Sequence, residues 1–172
     1  MIFKKINLRK ISKKNIISDY INWMNDYEVV KFTEQKYFKH TKKNIKNFLE
    51  KVNKDKYSLI YGIFFNDLLL GTVKIGNINQ IHKTADISYI IGNKKFWNKG
   101  IGSIVVRKIC LIAFKQLKLK KLIAGTYSVA IGSQKVLKKN GFKREGILKS
   151  QISFNKKRID HYIYGLQYMN FK

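Results

Sequence analysis

The sequence contains no proline and one cysteine, Cys110, among 172 residues. A single thiol cannot close an intrachain disulfide, so a disulfide-stapled secreted framework is excluded. Its place on the apolar side of a helical pattern suits packing better than nucleophilic chemistry. Histidine is scarce and scattered, at His40, His82 and His161, and no Cys/His spacing accompanies it, so no metal site is expected. Acidic residues are few as well: ten Asp and Glu stand against 36 Lys and Arg, a formal net charge of +26. Such a balance attracts polyanions. Only four of those cations are arginines, however, and the wealth of Lys, Ile and Asn beside the missing proline has the look of codon bias. No zinc, homeodomain or aromatic RNA-binding motif accompanies the charge, which argues against a dedicated nucleic-acid surface. No apolar run reaches the ~18 residues of a membrane span, and no long apolar region follows Met1. A cytoplasmic protein that makes no membrane contact is therefore expected.

What is present suits one domain over residues 1–172, with 45% hydrophobic residues to fill a core. Alternation over 2–9 predicts a strand, and helical spacing over 12–24 a helix. Thr41 is placed to cap a helix over 42–52, whose Ile45, Phe48, Leu49 and Val52 form a stripe. Strands over 57–65 and 69–78 flank the turn signal Asn66-Asp67, and 84–91 extends them into a meander. A helix over 101–117, a strand over 120–127 and a helix over 131–139, stopped by Asn140-Gly141, follow. Two last strands, 142–154 and 158–169, turn at Asn155-Lys156. This order predicts an α+β fold with one mixed sheet.

The chain is organised around Asp86 to Ser103, where a strand runs through a polar loop into a helix. In Asn98-Lys-Gly-Ile-Gly-Ser103 two glycines let the backbone approach a ligand, and the free N–H groups of the first helical turn favour an anion, phosphate above all. The bare Gly-x-Gly is equally compatible with a glycine-softened loop. A Rossmann site would need a third glycine and a later acid, and a P-loop a Gly-Lys-Ser/Thr after a longer spacer; neither is present.

This loop resembles the acetyl-CoA pyrophosphate loop of the GNAT N-acetyltransferase superfamily. Trp97 replaces the usual Gln or Arg, as in the ribosomal-protein-type (Rim-like) branch, which carries an aromatic-Trp pair there. Lys135-Val-Leu-Lys-Lys-Asn-Gly-Phe-Lys-Arg-Glu-Gly146 is similar to the ending of that branch, and the element order matches across nearly the whole chain. The resemblance implies a mainly antiparallel central sheet with helices on both faces, and acetyl-CoA as cosubstrate, with no metal. It also implies that Ile90 and Ile91 pair with the pantetheine arm, and that Asn98, Lys99, Gly100, Ile101, Gly102 and Ser103 hold the pyrophosphate.

Acetyl transfer to an amine needs a carbonyl polariser, a base and an acid for the thiolate. Asp86 precedes Gly100 by 14 residues, where the histone-acetylating branch places a glutamate base, and shares a strand face with Ser88 and Ile90. Asp86 is accordingly the candidate base, the alternative being a structural carboxylate. The Ile91 N–H is the candidate polariser. Where many family members have Asn and Tyr, this chain has Ala130 and Leu137, which leaves Ser133 or Tyr127 as the candidate acid. Phe32, Tyr37, His40 and His161 fall in regions that line the acceptor side in acetyltransferases; each is otherwise a packing or surface residue.

For the acceptor, the run Tyr20 to Val30 followed by His40-Thr41 resembles acetyltransferases of bacterial surface-sugar synthesis, which modify an amine on a nucleotide-linked sugar. A cationic enzyme suits that anion and would repel polyamines. N-terminal acetylation of a ribosomal protein is the competing expectation, and a non-enzymatic CoA- or RNA-binding module the third. A monomer or homodimer is expected.

Overall fold

The computed structural model describes residues 5–11 and 17–171; residues 1–4, 12–16 and 172 lie outside the described residues, and with them the start of the expected first strand and the first turn of the expected first helix. The strands are β1 (Ile6–Lys10), β2 (Leu59–Phe65), β3 (Leu68–Asn79), β4 (Thr84–Ile91), β5 (Lys121–Tyr127), β6 (Lys143–Phe154) and β7 (Lys157–Gln167). The helices are α1 (Ile17–Asn25), the single turn α2 (Tyr27–Val30), α3 (Lys42–Lys54), α4 (Ile101–Leu111) and α5 (Ile131–Lys139). One seven-stranded sheet runs in the order β1-β2-β3-β4-β5-β7-β6. Every pairing is antiparallel except β4 with β5.

Local chemistry accounts for the boundaries. At α3, the Asn44 N–H donates to the Thr41 hydroxyl while the Thr41 N–H donates to the Asn44 side chain, satisfying two end groups that a helix cannot pair internally. Asn66 takes a positive φ in the two-residue β2–β3 turn, and Asn155 and Lys156 both do so between β6 and β7, as tight hairpins require. The helix expected over 101–117 divides: α4 ends at Leu111 and Ile112–Gln116 continues as a π-helical turn. No sequence signal marked that change of pitch.

Helices cover both faces. On one, Ile101, Val105, Val106, Ile109, Cys110 and Ala113 of α4 and the turn after it pack with Leu137 of α5 onto Ile63, Leu70, Val73, Ile75, Ile87 and Leu122. On the other, Tyr20, Met24, Ile45, Leu49 and Val52 of α1 and α3 pack onto Ile60 and Leu69. β2 is buried on both faces, which is why Leu-Ile-Tyr-Gly-Ile-Phe-Phe reads as a near-continuous apolar run. β6 instead forms a largely exposed edge, interrupted by two irregularities and studded with Lys143, Arg144 and Lys149, features that blunt edge-to-edge association.

β4 and β5 pair only over Thr84–Asp86 with Lys121–Ile123. Beyond those three pairs β4 follows β3 to Ile91 and β5 follows β7 to Tyr127, so the two strands part and open a V at mid-sheet.

Candidate active site

The loop from β4 to α4 closes one arm of the V. The Gly92 N–H donates to the Leu70 carbonyl at 2.8 Å, so the alternation of an antiparallel ladder turns the peptide groups of Tyr89 and Ile91 away from β3, towards the gap. The Trp97 indole N–H takes up the Ile91 carbonyl at 2.7 Å, and Phe96 packs on Phe65 with ring centroids 5.5 Å apart. The aromatic pair thereby fixes the loop to the strand end and leaves the Ile91 N–H on the gap side.

Asn98 and Gly100 both have positive φ, and Gly100 is the N-cap of α4 with no side chain closing the helix end. A Cβ on Gly102 would lie 3.3 Å from Val136 and 3.5 Å from the Tyr89 ring, so the first turn of α4 runs tightly against α5 and β4. Such an uncapped, glycine-lined N-terminus fits a pyrophosphate. Within the expected set, Lys99 lies over the Phe96 ring at 5.5 Å, and the Ser103 hydroxyl accepts from the Asn140 side chain at 3.0 Å, joining α4 to α5. The Ser133 hydroxyl bonds the Tyr89 hydroxyl, whose pKa burial pushes up against that bond's smaller lowering effect.

On the opposite face, α1, α3 and the segment between them line a half-open cavity of about 470 Å³ against β3 and β4. Tyr20, Thr33, Gln35, His40, Asn44, Thr72, Lys74 and Ser88 supply its polar groups, and Met24, Phe38, Ile45 and Ile90 are among its apolar ones. The Tyr20 and Thr72 side chains are hydrogen-bonded to each other. Among the described residues no carboxylate lines this space. The volume falls in the range of small-molecule pockets.

Residues 32–38 bridge the V. Thr33, Gln35 and Phe38 face the cavity on the β4 side. Their neighbours reach the other arm: the Tyr127 hydroxyl donates to Glu34 Oε1, the Tyr37 hydroxyl donates to the Ser153 carbonyl at 2.8 Å, and Phe32 packs on Phe154 at 5.7 Å. Burial foremost, then the Glu34 hydrogen bond and charge, push the Tyr127 phenol well above its ordinary value. His161 stands edge-on to Tyr127 at 6.2 Å; burial lowers its pKa against the opposing pull of Glu34.

The structure therefore distributes the expected residues. Tyr127 and Ile91 stand on the two arms, and His40 lines the cavity. Asp86 lies at the closed end, its carboxylate accepting from the Asn77 side-chain amide at 2.6 Å, and it does not line the cavity. Phe32, Tyr37 and His161 also lie outside the cavity lining, as parts of the bridge and of the wall behind it. Glu34, Tyr20, Thr72 and Lys74 were missed. Period-two extension from Ser88 across the β3–β4 register, which sets Lys74 opposite Ser88 and Thr72 opposite Ile90, is the signal that leads to the last two. None marks Glu34, whose place depends on how an irregular segment crosses the sheet. Cys110 is buried and its thiol is pushed up to about 12, chiefly by desolvation, consistent with packing.

The family model for the acetyltransferase (GNAT) domain matches residues 5–143. The probable N-acetyltransferase YjcK of Bacillus subtilis (strain 168) is 34% identical over 128 residues, which is 73% of this chain and 70% of that protein. Spermidine N-acetyltransferase from Vibrio cholerae, solved with CoA and spermine, aligns over 97% of this chain and 98% of its own with a TM-score of 0.88 at 17% identity. The ribosomal-protein alpha-N-acetyltransferase RimL, solved with CoA, aligns over 97% and 96% with a TM-score of 0.84 at 16% identity. At those identities the two structures speak to the fold alone. With the family match spanning most of the sequence, and a parted β4–β5 pair beside a glycine-lined helix N-terminus, the chain belongs to the GNAT acetyltransferases and is an N-acetyltransferase.

Proposed function

We propose that residues 1–172 work as one catalytic domain that moves acetyl from acetyl-CoA to the primary amine of an anionic small molecule, of the class of nucleotide-linked amino sugars. The observation that carries this reading is the cavity against β3 and β4: it is sized for a small molecule, holds Lys74 and His40 among hydroxyl and amide groups, and has no carboxylate among its described lining residues. It reaches the Ser88–Ile90 stretch of β4, beside the V; in this reading the V receives the thioester. Asn98 to Ser103 hold the pyrophosphate, Ile90 and Ile91 pair with the pantetheine arm, and the Ile91 N–H polarises the thioester carbonyl. Tyr127 or Ser133 protonates the departing thiolate. Two carboxylates are candidates for the base: Asp86, held by Asn77 at the closed end of the V, and Glu34 on the bridge.

Acetylation of a ribosomal-protein N-terminus is the second reading, favoured by the Rim-like Phe96-Trp97 pair that locks Ile91. A polyamine, the ligand in the Vibrio cholerae structure, would meet Lys74 and, among the described lining residues, no carboxylate, an unfavourable desolvation for a polycation. The test is an acceptor screen with acetyl-CoA at fixed salt, comparing nucleotide-linked amino sugars, short peptides with free N-termini, and spermidine. Sugar turnover exceeding the others is expected; peptide turnover without sugar turnover reverses the ranking.

A further inference from the structure

The ten carboxylates of this chain are not equivalent. Asp26, Glu28, Asp67, Glu145 and Asp160 each pair with a lysine or arginine. Asp86 is held by the Asn77 amide where β4 and β5 are still paired. Glu34 differs from all of these. It sits on the bridge over the open part of the V, its flanking residues Thr33 and Gln35 face the cavity, and its partner is the neutral hydroxyl of Tyr127 on the far arm. Among the described residues no cation stands within ion-pair distance of it.

A carboxylate without an ion-pair partner, set between two cavity-lining residues and hydrogen-bonded to the Tyr127 hydroxyl of the far arm, is placed to receive a proton even though it is not itself part of the cavity lining. We infer that Glu34, rather than Asp86, is the base of the acetyl transfer, and that it works as a couple with Tyr127. This inference rests on the acetyltransferase reading and goes beyond it. The Glu34 carboxylate removes one proton from the acceptor ammonium, freeing the nitrogen lone pair. The nitrogen–carbon bond forms, the carbon–sulfur bond breaks, and the Tyr127 hydroxyl gives its proton to the sulfur. Glu34, now a carboxylic acid, returns its proton to the Tyr127 phenolate across their existing hydrogen bond. The second proton on the acylated nitrogen leaves to water, so the turnover yields amide, CoA thiol and one released proton. The raised phenol pKa keeps Tyr127 protonated for this step, and the lowered one keeps the neighbouring His161 neutral. Lys36, whose ammonium lies over the Tyr37, Tyr127 and Phe154 rings at 4.8, 5.7 and 4.4 Å, is the nearby cation on the bridge itself.

The experiment compares two kinds of nucleophile by CoA-thiol release in the full chain. Hydroxylamine arrives largely uncharged at neutral pH and needs no base; an alkyl ammonium, supplied as a peptide N-terminus or a nucleotide-linked amino sugar, does. Glu34→Gln should lower kcat/KM for the ammonium acceptor by about 10²–10³-fold, with a loss at least tenfold smaller for hydroxylamine and unchanged acetyl-CoA affinity by calorimetry. Tyr127→Phe should slow both nucleophiles, since both reactions expel thiolate. An equal loss with both nucleophiles in Glu34→Gln makes Glu34 a structural strut and overturns the inference, as does a larger selective loss in Asp86→Asn. Hydroxylamine turnover by the natural protein with no ammonium acceptor used also overturns it. The acetyltransferase reading itself fails in a different way, with no acetyl-CoA binding and no thiol release for any nucleophile.

Discussion

At the scale of single residues, the two glycines of the loop make different demands. Gly100 has nothing within 4 Å of a notional Cβ, yet its φ of 76° is costly for any other residue, by about 1–2 kcal/mol. Gly102 has ordinary helical neighbours but little room towards Val136 and Tyr89. Gly100→Ala should therefore lower stability by about 1 kcal/mol in urea titrations. Gly102→Leu should weaken binding at least tenfold by calorimetry, because its side chain must displace Val136, Tyr89 or the ligand. Equal effects from the two substitutions would show that backbone approach is not what the second glycine provides. Asp86 and Glu34 make a similar contrast. Period-two geometry places Asp86 on the strand face of Ser88 and Ile90, but its carboxylate is engaged by Asn77, which is nine residues away and contributed by the preceding strand.

At the scale of elements, an ion pair joins the end of α1 to the turn after β4, close to where Trp23 packs against Gly92. Asp26 is the N-cap of α2, accepting from the Glu28 N–H, and pairs with Lys94 in the turn after β4. The Lys94 hydrogen bond foremost holds its carboxyl below the ordinary carboxylate range. A depressed folded-state pKa means that the stabilisation is present above the unfolded value of about 3.9 and is lost as pH falls through the lower folded value. Asp26→Asn should thus lower Tm at pH 7, by an amount equivalent to less than about 1 kcal/mol because both side chains are partly solvated, and should leave Tm nearly unchanged near pH 2. A constant difference at both pH values would assign the effect to capping alone. The Thr41 cap and the turn and stop signals Asn66-Asp67 and Asn140-Gly141 were legible in the sequence because they depend on neighbours within a few residues; the reciprocal bond from Thr41 to Asn44 came with the structure. The π-helical turn at Ile112–Gln116 was not legible, since it shows no local break in periodicity.

At the scale of the whole molecule, a net charge of +26 attracts anions from solution. For an anionic acceptor, raising ionic strength from about 0.05 to 0.5 M should raise KM several-fold while kcat changes little, because screening weakens encounter with the protein and leaves the reacting groups in place. Salt-insensitive kinetics would reduce the excess lysine to a feature of composition.

The sequence by itself determined the α+β element order, the glycine loop that opens α4 and the family, because each is written in residues close together along the chain. It also placed Tyr127 at the end of β5 and Ile91 at the end of β4. Only the tertiary structure decided which face of the V each group serves. The cavity against β3 and β4 joins Tyr20, Asn44, Thr72 and Ser88 from four elements, and the Glu34–Tyr127 couple spans 93 residues. Contacts of that separation depend on where β4 parts from β5 and on how residues 32–38 cross the opening. No periodicity or capping rule encodes either, since both follow from packing two layers of helices on a sheet that divides at Asp86 and Ile123.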